Sequence, residues 1–242
     1  MAGPTIQDLV KRLSEYFAAK INILLVDDMP LVIDFYRSAF DSPLINLSTA
    51  SSLDEAYALI RSAEQPWHCW LLDIDLGKGQ NSIEIIRNYP DFPFVLILSG
   101  LQSMSVAAEA VKCGAMDVFD KSPEIVPKLV SEVCGIAALG YILGGKKTQY
   151  LDTYMLLYKE VILGLEMWAQ KACITDRQLR RICALHPFAN PSTIRPLYYS
   201  LYYVLCKSLE LDSDDALCND SRYSSFFESS LYSIASHFNL LS

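Results

Sequence analysis

The sequence predicts an α/β protein: a five-stranded, doubly wound parallel sheet, followed by an all-α C-terminal region. Three observations predict it. Short apolar runs recur at 21–26, 44–49, 68–73, 93–98 and 116–119; most have the unbroken apolarity of strands buried on both faces. Helical periodicity fills the gaps at 30–40, 53–63, 81–89, 103–113 and 124–142, and right-handed crossovers of this kind cover both faces of a sheet. Beyond Gly144-Gly145-Lys146-Lys147 only helical patterns remain, near 148–170, 175–185, 192–208 and 222–238.

Each element has a local reason. Residues 5–19 place Ile6, Leu9, Val10, Leu13, Tyr16 and Phe17 at helical spacing, which makes an amphipathic helix. Thr5 and Asp8 are spaced as a helix start. Pro30 falls in the first turn of a helix and Pro93 at the start of a strand, both tolerated placements. The paired glycines at 144–145 mark a boundary. Three segments follow: an N-terminal helix at 1–20, an α/β domain at 21–145, and a helical domain at 146–242. The added N-terminal helix is expected to cover part of the α/β domain or to form a dimer seam.

Composition narrows the class. Of 242 residues, 52% are hydrophobic and 20% charged, the balance of a globular protein with a real core. The net charge of −8 is unevenly spread. It is +1 over 1–20, −9 over 21–145, +5 over 146–207 and −5 over 208–242, as in modules with different partners. The seven cysteines form no CxxC pair, so buried thiols are expected instead of a metal or disulfide framework. The most apolar stretch, 133–145, is shorter than the roughly 18–20 residues that span a bilayer. No charged-then-apolar leader opens the chain. The expectation is a cytoplasmic protein without a membrane partner.

Chemistry is concentrated at the strand ends. Asp27 and Asp28 follow INILLV, Asp73 follows HCWLL, Ser99 follows FVLIL, and Lys121 follows DVFD. In parallel sheets ligands bind beyond the carboxyl ends of the strands, so these groups are expected to meet there. Carboxylates, a hydroxyl and an amine suit a divalent cation and a phosphoryl group.

The motifs VDDMP (26–30), LLDIDL (71–76), LSG (98–100) and GAMDVFDKSP (114–123), in this order and spacing, resemble the receiver domain of two-component response regulators over residues 21–143. The resemblance implies a flavodoxin-like fold and a site for Mg²⁺. Asp27, Asp28 and Asp73 would be metal ligands, with the backbone carbonyl of Asp75 as a further one. Asp73 would accept a phosphoryl group from a sensor histidine kinase or phosphotransfer protein. Lys121 would neutralise its charge, Ser99 would hydrogen-bond to it, and Gly100 would leave it room. Three positions depart from the family pattern. Val118 stands where an aromatic, often Tyr, usually reports phosphorylation. Gly77 and Asn81 stand where Pro and Gly are common. Ser122 separates Lys121 from Pro123.

The helical region carries a second resemblance. WAQKACITDRQLRRICALHPFANPSTIRPLYY (168–199) resembles one helix-turn-helix of AraC-type regulators. An N-cap at Thr175 opens the second helix, whose Arg177, Gln178, Arg180 and Arg181, with Asp176, would face duplex DNA. Only one such motif is found, and the acidic Asp212, Asp214 and Asp215 would repel phosphate. Tyr198, Tyr199, Tyr202 and Tyr203 are expected in a core or subunit interface. No hydrolase or metalloprotease motif occurs, so the output is expected not to be an enzyme. The resulting expectation is a transcription regulator that dimerises when active; the alternative is a helical output that binds protein.

Overall fold

The computed structural model describes residues 4–100, 104–185, 188, 190–211 and 220–241. By their contacts they divide into two compact units, 19–147 and 1–18 with 148–242.

In the unit 19–147, strands β1 (Ile21–Val26), β2 (Ile45–Ala50), β3 (Cys69–Asp73), β4 (Val95–Ser99) and β5 (Asp117–Asp120) alternate with helices. The helices are α2 (Pro30–Ala39), α3 (Leu53–Ser62), α4 (Ile83–Asn88), α5 (Met104–Cys113) and α6 (Val126–Leu143), after α1 (Ile6–Phe17). All strand pairs are parallel and the order is β2-β1-β3-β4-β5. The three inner strands are buried nearly throughout, whereas the edge strands β2 and β5 are partly open. One sheet face presents Leu24, Val26, Trp70, Leu72, Val95 and Ile97 to Leu53 and Ala56 of α3, to Ile83, Ile85 and Ile86 of α4, and to Ala110 of α5. Trp70 closes the end of this core by stacking on Phe92 at 4.0 Å.

Helix α6 packs on β1 and β3. It is longer than the apolar stretch read at 133–145. With its leading 3₁₀ turn it is long and apolar enough to cross a bilayer by composition, but most of its residues are buried, including Val133, Ile136, Ala137 and Leu139. Apolarity all round is what a buried core helix requires. Gly140 lets it lie close to β3, since a Cβ there would sit 2.1 Å from the His68 carbonyl oxygen.

The second unit contains α7 (Leu151–Lys159), α8 (Leu165–Lys171), α9 (Asp176–Cys183), α10 (Pro191–Ser208) and α11 (Ser224–His237). A single helix over 148–170 is not formed; residues 160–164 break it. Tyr199 of α10 holds that break: its hydroxyl accepts from the Ile162 N–H at 2.7 Å and donates to the Glu160 carbonyl at 3.0 Å. Arg195 donates to the carbonyls of Ile162 and Leu163. Tyr198, Tyr199 and Tyr202 are buried in this core, with Tyr199 and Tyr202 against Phe227.

Helix α1 opens with a capping box, Thr5 accepting from the Asp8 N–H and Asp8 from the Thr5 N–H. Its buried face is covered from within its own unit. Leu9, Leu13 and Phe17 are fully buried, and the helix packs against α10 and α11. Arg12 donates to the Leu240 carbonyl, Tyr232 to the Pro4 carbonyl, and Tyr16 stacks on Phe238. These partners lie more than 220 residues away along the chain. The six described cysteines are free thiols.

Candidate functional site: an acidic cluster at the strand ends

The order β2-β1-β3 places a topological switch between β1 and β3, where a crevice opens beyond their carboxyl ends. Asp27 and Asp28 follow β1 and Asp73 closes β3. One carboxylate oxygen from each lies within 4.8 Å of the others. Such an all-oxygen cluster fits a small hard cation. Asp27 is fully buried and accepts from the Met29 N–H, which orients its carboxylate.

Lys121, one residue past β5, reaches across β4 to this cluster. Its Nζ lies 2.6 Å from Asp27 Oδ2 and 2.6 Å from Asp73 Oδ2. Burial disfavours the ammonium charge, but hydrogen bonds and attraction to Asp27 and Asp73 outweigh it, so its pKa is raised. Asp73 is pushed up to about 6, chiefly by burial; Lys121 opposes the shift, and Asp27 and Asp28 add to it. Ser99 ends β4 opposite Asp120, and its carbonyl accepts from the Lys121 N–H.

Asp75 stands apart from this group. Its carboxylate accepts from the Gly77 N–H at 3.0 Å and its backbone bridges Asn81. Only its carbonyl remains for the ligand role that the resemblance implies. Gly100 has open space where a Cβ would project, as access to the cluster needs. Phe119 is buried and Val118 packs on the core, so neither supplies the exposed aromatic usual near this lysine.

Two neighbours had no role assigned from the sequence. Gly77 has φ +68°, and a Cβ there would lie 2.8 Å from Asp28 Oδ2. Glycine in place of the family's proline thus leaves room for that carboxylate. Tyr36 is buried, and its hydroxyl pKa rises to about 12 through burial and the charges of Asp27 and Asp73. Neither role is marked in the sequence, because both depend on how α2 and the 74–82 loop fold over β1.

Helices α8 and α9 are joined by a short turn. Cys173, at φ 54°, takes the left-handed conformation between them, and the Ile174 N–H closes on the Ala169 carbonyl. This is a Schellman-type stop. Leu179, Ile182 and Cys183 bury one face of α9, while Arg177, Arg180 and Arg181 are exposed on the other. Gln178 does something else: its Oε1 accepts from the Thr175 N–H at 2.8 Å and from the Thr175 hydroxyl at 2.9 Å. The T-x-x-Q spacing at 175–178 was the sequence signal for this capping box. Asp212, Asp214 and Asp215 lie outside the described residues.

The sheet order and the groups at its carboxyl edge define a receiver fold. Residues 23–131 match the family model of the response regulator receiver domain, and the chain carries the receiver domain of a two-component response regulator. It is 28% identical over 115 residues to the photosynthetic apparatus regulatory protein RegA of Cereibacter sphaeroides. That alignment takes in 48% of this chain and 60% of that relative, so the chain spans about three fifths of the curated relative's length. Among solved structures it resembles the Francisella response regulator 1452 receiver domain, with 23% identity, 48% of this chain and 95% of that chain covered, and a TM-score of 0.42. A LuxR-family response regulator from Aurantimonas sp. SI85-9A1 gives 29% identity, 48% and 84% coverage, and a TM-score of 0.42.

Proposed function

We propose that the chain is a phosphorelay response regulator, phosphorylated on Asp73 by a sensor histidine kinase or phosphotransfer protein. Phosphorylation then changes how the helical unit binds duplex DNA, and so controls transcription. One observation carries the first part: Asp27, Asp28, Asp73 and Lys121 meet at the β1–β3 switch point. A carboxylate of Asp73 attacks the phosphorus of a phosphohistidine donor. The P–N bond breaks, its electron pair returns to the imidazole, and an acyl phosphate forms on Asp73. Asp27, Asp28 and the Asp75 carbonyl would hold Mg²⁺, which when bound supplies positive charge for the phosphoryl oxygens. The Lys121 ammonium takes one of those oxygens in place of the Asp73 carboxylate, and the Ser99 hydroxyl donates to another.

The second part rests on α9. Three arginines share its exposed face, and among the described residues no carboxylate pairs with them. Tyr198, Tyr199 and Tyr202 are buried and so offer a protein partner no aromatic surface. On this reading the output acts by binding DNA. The reading also carries a cytoplasmic location and a homodimeric active form.

The test is fluorescence anisotropy of the full chain with labelled duplex DNA at about 50 and 200 mM salt, with Mg²⁺ and with or without beryllofluoride. Phosphate contacts predict a steep loss of affinity as salt rises. Beryllofluoride should shift the affinity of the native chain but not of Asp73→Asn. A native chain that binds no duplex at either salt concentration would sink the DNA reading. DNA affinity indifferent to beryllofluoride would sink the switch.

A further inference from the structure

We infer that the DNA face of α9 reads guanines through Arg177, Arg180 and Arg181, and that Gln178 takes no part in reading bases. The inference rests on the DNA-binding reading above and names what that surface would recognise.

At 100° per residue, Arg180 and Arg181 flank Arg177 within an arc of about 100°. That arc lies opposite the buried Leu179, Ile182 and Cys183. Three like charges spaced i, i+3 and i+4 repel one another on an isolated helix, and no described carboxylate relieves them. A polyanion would. Arg177 also lies in the first turn of the second helix, the part that meets base edges in a helix-turn-helix. A guanidinium there presents two parallel donors, which match the O6 and N7 acceptors of guanine. Asp176 precedes it, a group that repels phosphate and accepts from the amino group of cytosine.

Gln178 would be the natural adenine reader, since an amide can accept from N6 and donate to N7 at once. Its acceptor is already committed, for Oε1 takes two hydrogen bonds from Thr175. It also sits to one side of the arginine face. It lies about 100° around the helix from Arg177 and lines a cavity with Tyr150, Thr153 and Ile174. Turning it outward would open the cap. Arg181 borders the same cavity, and both side chains are exposed, so it is the Thr175 bonds that set Gln178 apart.

The experiment is selection of duplexes from a randomised library by the full chain with Mg²⁺ and beryllofluoride. The selected site is then measured with variants and modified bases. Enriched guanines are expected, and replacing them by 7-deazaguanine, which lacks the N7 acceptor, should weaken binding. Arg177→Lys keeps the charge but loses the fork, so non-specific affinity should persist while discrimination falls roughly 5- to 150-fold. Gln178→Ala should lower the thermal midpoint and leave the base preference unchanged. Sequence-independent binding, or an adenine preference abolished by Gln178→Ala, overturns the inference and leaves the DNA reading standing. Absence of duplex binding at low salt overturns both.

Discussion

Asp73 is placed for two opposing demands. As the proposed phosphoacceptor it would have to be ionised to attack phosphorus, yet burial beside Asp27 and Asp28 raises its pKa to about 6. Lys121, 2.6 Å away, keeps the shift from going further. In the unfolded chain the same carboxyl titrates near 3.8. Between these values the folded state holds more protons than the unfolded one, so stability falls as pH rises from about 4 to 6. Above that window the full cost of the ionised Asp73 persists. Asp73→Asn should therefore raise the thermal midpoint at pH 7.5, and the gain should fade once the pH drops below about 4. Mg²⁺ affinity by calorimetry should follow the same group, weakening as pH falls through about 6, because a protonated Asp73 is a poor ligand. An affinity flat between pH 5 and 7.5 would show that Asp73 does not titrate there. This site was legible in the sequence because each group sits directly after an apolar run, where a parallel sheet must bring its ends together. The clearance that Gly77 gives Asp28 was not legible, since it arises from a left-handed loop crossing a residue 49 positions earlier.

The break between α7 and α8 shows what an element owes to distant partners. Ile162 is fully buried, and its N–H has the Tyr199 hydroxyl as its acceptor. Tyr199→Phe keeps the ring among Phe226 and Phe227 but leaves that amide unsatisfied. A buried orphan donor costs about 1–3 kcal/mol. The expected outcome is a lower denaturant midpoint and faster hydrogen exchange at Ile162, with Mg²⁺ binding unchanged. Unchanged exchange at Ile162 would mean that the hydroxyl does not hold the loop. The sequence reads 148–170 as one helix because its apolar spacing runs through VILG without interruption, and nothing nearby in the chain announces Tyr199 or Arg195. Strands and crossovers were readable for the opposite reason: their pattern is local and each turn is punctuated by Gly, Pro, Asp or Ser. The stripe of α1 was equally readable, but a stripe says only that something covers it, not that α10 and α11 do.

At the scale of the molecule, the receiver is an insertion. The chain builds α1, leaves for the unit 19–147, and returns to complete a helical unit that α1 belongs to. Within 19–147 both ends lie where the strands begin, away from Asp73: the Ala19 N–H bonds the Pro43 carbonyl, and Gly145 rests against the Trp67 carbonyl. The helical unit is thus discontinuous, and a fragment of 148–242 lacks the α1 residues that pack on α10 and α11. Leu9, Leu13 and Phe17 are each fully buried, and removing one such leucine side chain alone costs about 2–5 kcal/mol. That loss is a large part of the 5–15 kcal/mol or so that keeps a domain folded. The fragment 148–242 should melt broadly or at a lower temperature than the helical unit of the full chain. A peptide of residues 4–18 added in trans should restore a sharp, higher transition, and the same peptide with Leu13→Ala should not. If the fragment alone melts as it does in the full chain, α1 is an appendage and the receiver is not an insertion in any energetic sense. If only the native peptide restores it, the two chain segments that flank the receiver are held together by the output core itself. Phosphorylation of Asp73 would then act on a domain tethered to its output at both ends.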